Sequence, residues 1–285
     1  MKSALIVAAW CVVLAGCGTT DEPAEQRASQ FPADSISIVA NSDIAVGTSR
    51  LVVAVAESDG GRLGSPDDVI GLEVAPVDQP ELRQTADGVF MWIIDGAFGL
   101  YRGDFDFDQP GVWSVTVVPD SGPVLEPSFF AVSEDSIAPG VGDMAPQVAT
   151  PTSADSVLES ITTDPNPDPR FYELSLDEAV VSGVTTVAVF STPAFCRTAT
   201  CGPLLDQTKA LAPDYPDINF VHVEIYTGFD EPDFAPDGDH LAPPVTESGW
   251  NLPSEPWVFV VDGTGVVTHR FEGVLDEAEL RGALT

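Results

Sequence analysis

The stretch "FSTPAFCRTATCGP", Phe190 to Pro203, decides how the second half of this chain is read. It follows "TTVAVF", whose continuous apolar and β-branched residues predict a buried strand. It precedes "LLDQTKALA", which puts Leu204, Leu205, Thr208, Leu211 and Ala212 on one helical face. Cys196 and Cys201, four residues apart, therefore lie at a strand-to-helix junction. Pro203 suits the first helical position, because its missing N–H is one the helix would leave unpaired. A thiolate there is favoured by unpaired N–H groups and by the helix dipole, so its pKa falls. A disulfide closing so short a loop removes only ~2 kcal/mol of unfolded-chain entropy, which makes it a poor staple. The pair has three readings: reversible redox, a static disulfide, or a metal clip.

Outward from this segment, "SLDEAVVSG" predicts a short helix with a Ser or Asp cap and a stop at Gly183. "INFVHVEIY", "PWVFVVD" and "VVTHRFEG" predict strands, and "LDEAELRGAL" a closing helix. This order predicts a mixed sheet with helices on its faces over 171–285. Residues 134–170, with "ATPTSADS" and "TTDPNPDPR", read as linker and lead-in without a core. Over 31–133 seven candidate strands, "SISIVA", "RLVVAVAES", "GLEVAPV", "GVFMWIID", "LYRGDFDF", "GVWSVTVV" and "SFFAVS", are separated by breakers such as "SDGGRLGSPDD" and "PDSGP". Tyr101, Phe105 and Phe107 alternate with polar residues, and Trp113 reads as core. Short strands without a helical pattern predict an all-β sandwich.

The N-terminus reads as an export signal. Lys2 precedes the apolar run "ALIVAAWCVVLAG", which is too short and too poorly flanked for a spanning helix. "LAGC", Leu14 to Cys17, resembles a bacterial lipobox. That resemblance implies a signal peptide over 1–16, lipid on Cys17, a polar tether over 17–30, and a place in the bacterial cell envelope, anchored outside the cytoplasmic membrane or in the periplasm. Cys11 leaves with the signal, so Cys196 and Cys201 remain to pair in a compartment where disulfides persist. The chain has 45 acidic against 11 basic side chains, net −34. With no basic stripe, nucleic acid is excluded as a partner.

The cysteine junction, "GDMAP" (Gly142 to Pro146) and "LPSEPWVFVVDGTGVVTHRFEG" together resemble the thioredoxin superfamily, in its TlpA/ResA-type branch. "GLYRGDFDFDQPGVWSVTV" resembles the closing hairpin of immunoglobulin-like envelope domains. The fold these imply is an immunoglobulin-like sandwich followed by an α/β thioredoxin-like domain. The superfamily carries two residues between its cysteines, whereas this chain carries four, and Leu204 stands where the second cysteine of "CGPC" would be. By resemblance Cys196 attacks, Cys201 resolves and Pro256, at the cis-proline position, shapes the substrate groove, which Phe195 and Trp257 can line. The activity implied is thiol–disulfide exchange with an envelope protein or a small thiol, without a cofactor. The alternatives are a binding or scaffold lipoprotein with a static disulfide, and a copper chaperone similar to Sco-type proteins through Cys196, Cys201 and His240. His222 and His269 read as structural, Arg197 and Lys209 as the nearby cations, and "GFDEPDFAPDGD" as a solvated acidic loop without calcium spacing.

Overall fold

A computed structural model describes residues 30–285; the lipobox, Cys11 and Cys17 lie outside the described residues. Thirteen strands run β1 (Ile36–Val39), β2 (Gly47–Ala56), β3 (Arg62–Leu63), β4 (Ile70–Pro76), β5 (Gln84–Asp87), β6 (Val89–Ile94), β7 (Phe98–Phe107), β8 (Gly111–Pro119), β9 (Ser128–Val132), β10 (Thr186–Ser191), β11 (Asn219–Glu224), β12 (Trp257–Val261) and β13 (Val267–Glu272). The α-helices are α1 (Leu176–Ala179), α2 (Cys201–Leu211) and α3 (Glu277–Ala283).

Two antiparallel sheets, β1-β2-β7-β6 with β3 on β2, and β5-β4-β8-β9, enclose one core. Period-two alternation sends Leu51, Val53, Tyr101, Phe105 and Phe107 inward from the first sheet, and Leu72, Val74, Trp113, Val115 and Val117 from the second. All seven expected segments carry strands. β3 and β5 were hidden, the first inside a glycine-rich breaker and the second in the short polar run "QTAD". The third sheet has the order β11-β10-β12-β13. β10 lies parallel to β11, with α2 between them in sequence, and antiparallel to β12. One face of β10 packs Val187 and Val189 under Leu204 and Leu205 of α2; the other packs Ala188 and Phe190 against Trp250, Trp257 and Phe259.

The expected succession of an all-β domain and an α/β thioredoxin-like domain is not the architecture found. The described residues are mostly β in three sheets, with 16% in helical elements. The predicted helix "SLDEAVVSG" makes one turn, because Val180 and Val181 are poor helix formers and Gly183, at φ 83°, ends it. Between β11 and β12, Pro232, Pro236, Pro243, Pro244 and Pro253 lack the N–H a helix needs, and only the short 3-10 turns Gly238–His240 and Pro243–Val245 form.

Residues 134–170 also depart from the linker reading. Ala138, Ala145, Thr152, Thr162 and Asp164 are buried. Gly142 and Ala145 donate backbone bonds to Val267 and Gly265, which lays this segment along the β12–β13 hairpin. The segment, which carries the 3-10 turns Leu158–Ser160 and Pro169–Tyr172, follows the third sheet rather than leaving it.

The third sheet docks on the outer face of the first. Val274 joins Val52, Met91, Ile93 and Leu100 in a small apolar cluster. Ion pairs surround it. Arg50 forks onto Glu279, Nε to Oε1 at 2.7 Å and Nη2 to Oε2 at 2.8 Å, and Arg102 Nε lies 3.0 Å from Glu279 Oε1. Glu279 and Asp276 form the capping box that opens α3, so one carboxylate serves the helix and the junction. Arg270 meets Asp43 at 2.7 Å, and Asp43 also accepts from the backbone N–H of Ile137 and Ala138. The Asp43 side chain is 1% exposed. Removing one partner of such a pair strands the other charge in a dry setting. Asp43→Ala is therefore expected to lower stability by about 3–5 kcal/mol in denaturant unfolding. Glu73→Ala, which breaks the exposed Arg83–Glu73 pair, is expected to cost no more than about 1 kcal/mol.

Candidate functional site

Cys196 and Cys201 form a disulfide with Cα atoms 6.0 Å apart. The two sulfurs have different surroundings. Cys196 is partly exposed, in a loop flanked by exposed Ala194 and Arg197. Cys201 is fully buried and is the first residue of α2. The helix thus starts two residues earlier than the proline reading placed it, and Pro203 occupies the third position, where its lack of an N–H again costs no helical bond. Ala199 takes the left-handed conformation, φ 60°, to turn the chain back so that Cys201 meets Cys196. The Cys201 N–H, unpaired within the helix, donates to Cys196 Sγ at 3.3 Å, and the Thr198 hydroxyl lies 3.3 Å from the same sulfur. The outer sulfur accordingly caps the helix.

Pro256 follows a cis peptide from Glu255. The β10–β12 register, Phe190 opposite Trp257, carries it to the end of β10 from which the cysteine loop leaves. Trp257 is fully buried core and lines no groove. Phe195 is partly exposed and forms an aromatic rim, with ring centroids 4.9 Å from Phe234 and 6.2 Å from Tyr226; Phe234 in turn lies 5.2 Å from His240. The acidic loop therefore folds one ring back over the cysteine loop. His240 Nδ1 is engaged by Asp237 at 3.0 Å. Among the described residues no group of three or more His, Cys, Asp or Glu side chains converges as a metal site. Lys209 is two turns along α2 and is neutralised by Asp164 at 2.5 Å and Asp206 at 2.9 Å, so it offers the sulfurs no free charge.

His222 is buried beneath Tyr172 with both ring nitrogens occupied, Nδ1 by Tyr172 Oη at 2.8 Å and Nε2 by Ser191 Oγ at 2.9 Å. Burial pushes its pKa down to about 4 and pushes the Tyr172 phenol up. His269, exposed on β13 and stacked on Phe271, lines the cleft between the third sheet and the sandwich.

The unforeseen part of the site is carboxylate. Glu224 ends β11 on the face that also carries Phe220 and His222, and it is 6% exposed. Its Oε2 accepts from the Thr163 N–H at 2.7 Å and the Thr163 hydroxyl at 2.9 Å; the same hydroxyl accepts from Ala194 N at 3.2 Å. Thr163, in the supposed linker, thus ties a buried acid to the cysteine loop. Glu224 Oε1, Thr192 Oγ1 and Glu255 Oε2 are buried without hydrogen-bond partners. Thr192 and Glu224 lie close enough to interact, but not in hydrogen-bonding geometry. Burial first, and then the charge of Glu224, push Glu255 up to about 7, with Arg197 opposing. Glu224 is raised by burial against the pull of its Thr163 bonds. The sequence carried a signal for one of these acids: Glu224 closes the apolar run "FVHVE" in step with His222.

A cleft of about 360 Å³ beside the start of α2 is lined by Thr163, Asp164, Asn166, Pro193, Gly202 and Asp206. The chain matches no protein-family model, and a search of curated proteins finds no match.

A carboxyl whose pKa is raised on folding binds more protons folded than unfolded. Its contribution to stability is therefore highest below its unfolded value and is lost as pH rises through the folded one. From the Glu255 shift, thermal stability is expected to fall between about pH 4.5 and pH 7. Glu255→Gln is expected to flatten that part of a melting-temperature profile.

Proposed function

We propose that this protein is an envelope thiol–disulfide exchanger acting through Cys196 and Cys201. The observation that carries the proposal is the asymmetry of the pair: one sulfur partly open to solvent and held at a helix start, the other sealed. In the oxidised form a partner thiolate attacks Cys196 Sγ, the S–S bond breaks, and Cys201 leaves with the electron pair. In reverse, the Cys196 thiolate attacks a partner disulfide and Cys201 then displaces the partner's thiol, re-forming the internal bond. Pro256, next to the loop, is read as one wall of the substrate groove, and the aromatic rim around Phe195 as another. The likeness of the cysteine segment and "LPSEPW" to thioredoxin-type oxidoreductases supports this chemistry at the level of motif, not of fold.

The partner is an envelope protein or small thiol, and the protein reaches it from a lipid on Cys17. Among the described residues no helix is long and apolar enough to cross a membrane, and the anchor rests on the "LAGC" motif. Cys17→Ala is expected to move the protein from the membrane fraction to the soluble fraction, with loss of the lipid mass.

After mild reduction Cys196 is expected to alkylate before Cys201, with an apparent pKa at least about one unit below the free value of ~8.5. Cys201→Ser, which removes the resolving thiol, is expected to trap mixed disulfides in cells. A pair that resists mild reductant, with no trapped partner, would leave a scaffold protein with a static disulfide.

A further inference from the structure

In a chain with 45 acidic and 11 basic side chains, a cation is expected to find an acid. Among the described residues every arginine and lysine but two is ion-paired, from the buried Arg50–Glu279 fork to the exposed Arg281. One exception, Arg62, lies over the Phe98 ring at 3.9 Å. The other is Arg197, which is exposed and holds no ion pair, hydrogen bond or ring contact. It directly follows Cys196, the sulfur of the pair that is open to solvent. It also lies inside the short loop that the disulfide closes, with the left-handed turn at Ala199 two residues on. The backbone is thus fixed on both sides of Arg197, and its guanidinium stays at the mouth of the site.

The other charges at this mouth are negative. Glu255, on the proline side, feels the Arg197 charge without pairing with it. Tyr226, in the aromatic rim, feels Glu255, Asp237 and Glu224 against Arg197. Asp237 belongs to the acidic loop that folds Phe234 onto Phe195, and it is already engaged by His240. Glu224 is buried and held by Thr163. A guanidinium in this company offers five N–H donors in a planar fork, none of them used within the protein. That fork matches a carboxylate brought from outside. The acids around it sharpen the choice, because without Arg197 they would repel the same carboxylate. A single side chain therefore decides the sign of the recognition.

We propose that Arg197 is a specificity residue that receives a carboxylate carried close to the attacking thiol of the partner. The inference rests on the exchange reading. Two sources share this chemistry: an envelope protein with an acidic residue beside its cysteine, and a small thiol that bears a carboxylate. The exchange itself is unaltered: the partner thiolate bonds to Cys196 Sγ, the internal S–S bond breaks and Cys201 takes the electron pair. Arg197 acts on how the partner arrives, not on which bonds change.

The test is the rate at which matched thiols open the disulfide of the full chain, followed by mass spectrometry after acid quenching. Two short peptides differ only in Glu or Gln beside a single cysteine; mercaptosuccinate and 2-mercaptoethanol form a second pair. Arg197 is exposed and unpaired, so Arg197→Gln leaves the fold intact. Variant and wild type are compared thiol by thiol, which cancels differences in thiol pKa. Arg197→Gln is expected to slow the acidic member of a pair about three- to fivefold more than the neutral one, the upper range for an exposed ion pair. Arg197→Lys, which keeps the charge without the fork, is expected to retain part of the preference. Salt at about 0.5 M is expected to erase it in the wild type. Selectivity among the peptides assigns a protein partner, and selectivity for mercaptosuccinate alone assigns a small thiol. Equal slowing of both members in both pairs overturns the proposal, leaves Arg197 a modulator of the Cys196 sulfur, and leaves the exchange reading untouched. If none of these thiols opens the disulfide, the exchange reading falls and this inference with it.

Discussion

The junction between the third sheet and the sandwich depends on where a chain so poor in cations places them. Three arginines of the 11 basic residues, Arg50, Arg102 and Arg270, gather at this one surface and meet Glu279 and Asp43 there. Buried ion pairs contribute little net stability, because desolvation offsets most of their attraction. Their effect is directional. A forked Arg50–Glu279 contact has one good geometry, and any slippage of the two parts would leave charges dry and unpaired. The apolar cluster around Val274 is too small to fix orientation alone.

That fixed junction reaches the disulfide through named bonds. Glu272, at the end of β13, accepts from the Ser42 N–H on the sandwich side at 2.7 Å and from Ser254 Oγ at 2.8 Å. Ser254 precedes Glu255 and Pro256. On the other flank Gln207, inside α2, donates to the Trp92 carbonyl of β6 at 3.4 Å. The proline side and the helix side of the disulfide are therefore each braced against the first sheet. The third sheet supplies the floor: β10, buried on both faces, ends where the cysteine loop, Thr192 and the two acids meet.

Much of this was legible in the sequence. Strands whose inward residues alternate, such as "YRGDFDF", or whose apolar run is continuous, such as "TVAVF", declare themselves because burial dictates composition directly. The cysteine pair was legible for a different reason, since four residues between thiols at a strand end leave a short loop to close. What could not be read was polar burial. Thr163 and Asp164 look like loop residues, and only their partners, Glu224 and Lys209, which lie far along the chain, make them interior. The helical content was overestimated at "SLDEAVVSG", where Val180, Val181 and Gly183 stop the helix after one turn. The segment read as a linker failed for another cause, since proline-rich backbone can lie along a sheet without any local signature of doing so. Glu255 went unnoticed because a lone glutamate beside a proline has no pattern until the fold supplies its neighbours.

The bond from Gln207 to Trp92 bears on how such a protein can be rearranged. A boundary drawn at residue 133 separates two stretches of sequence, but not two mechanical parts. Transplanted alone, the cysteine-bearing half would carry its loop and lose its brace, and Arg270 and Glu279 would face water with no counterpart. The sandwich is in that sense the jig in which the site is held, and the unit that recombination could move intact is the pair.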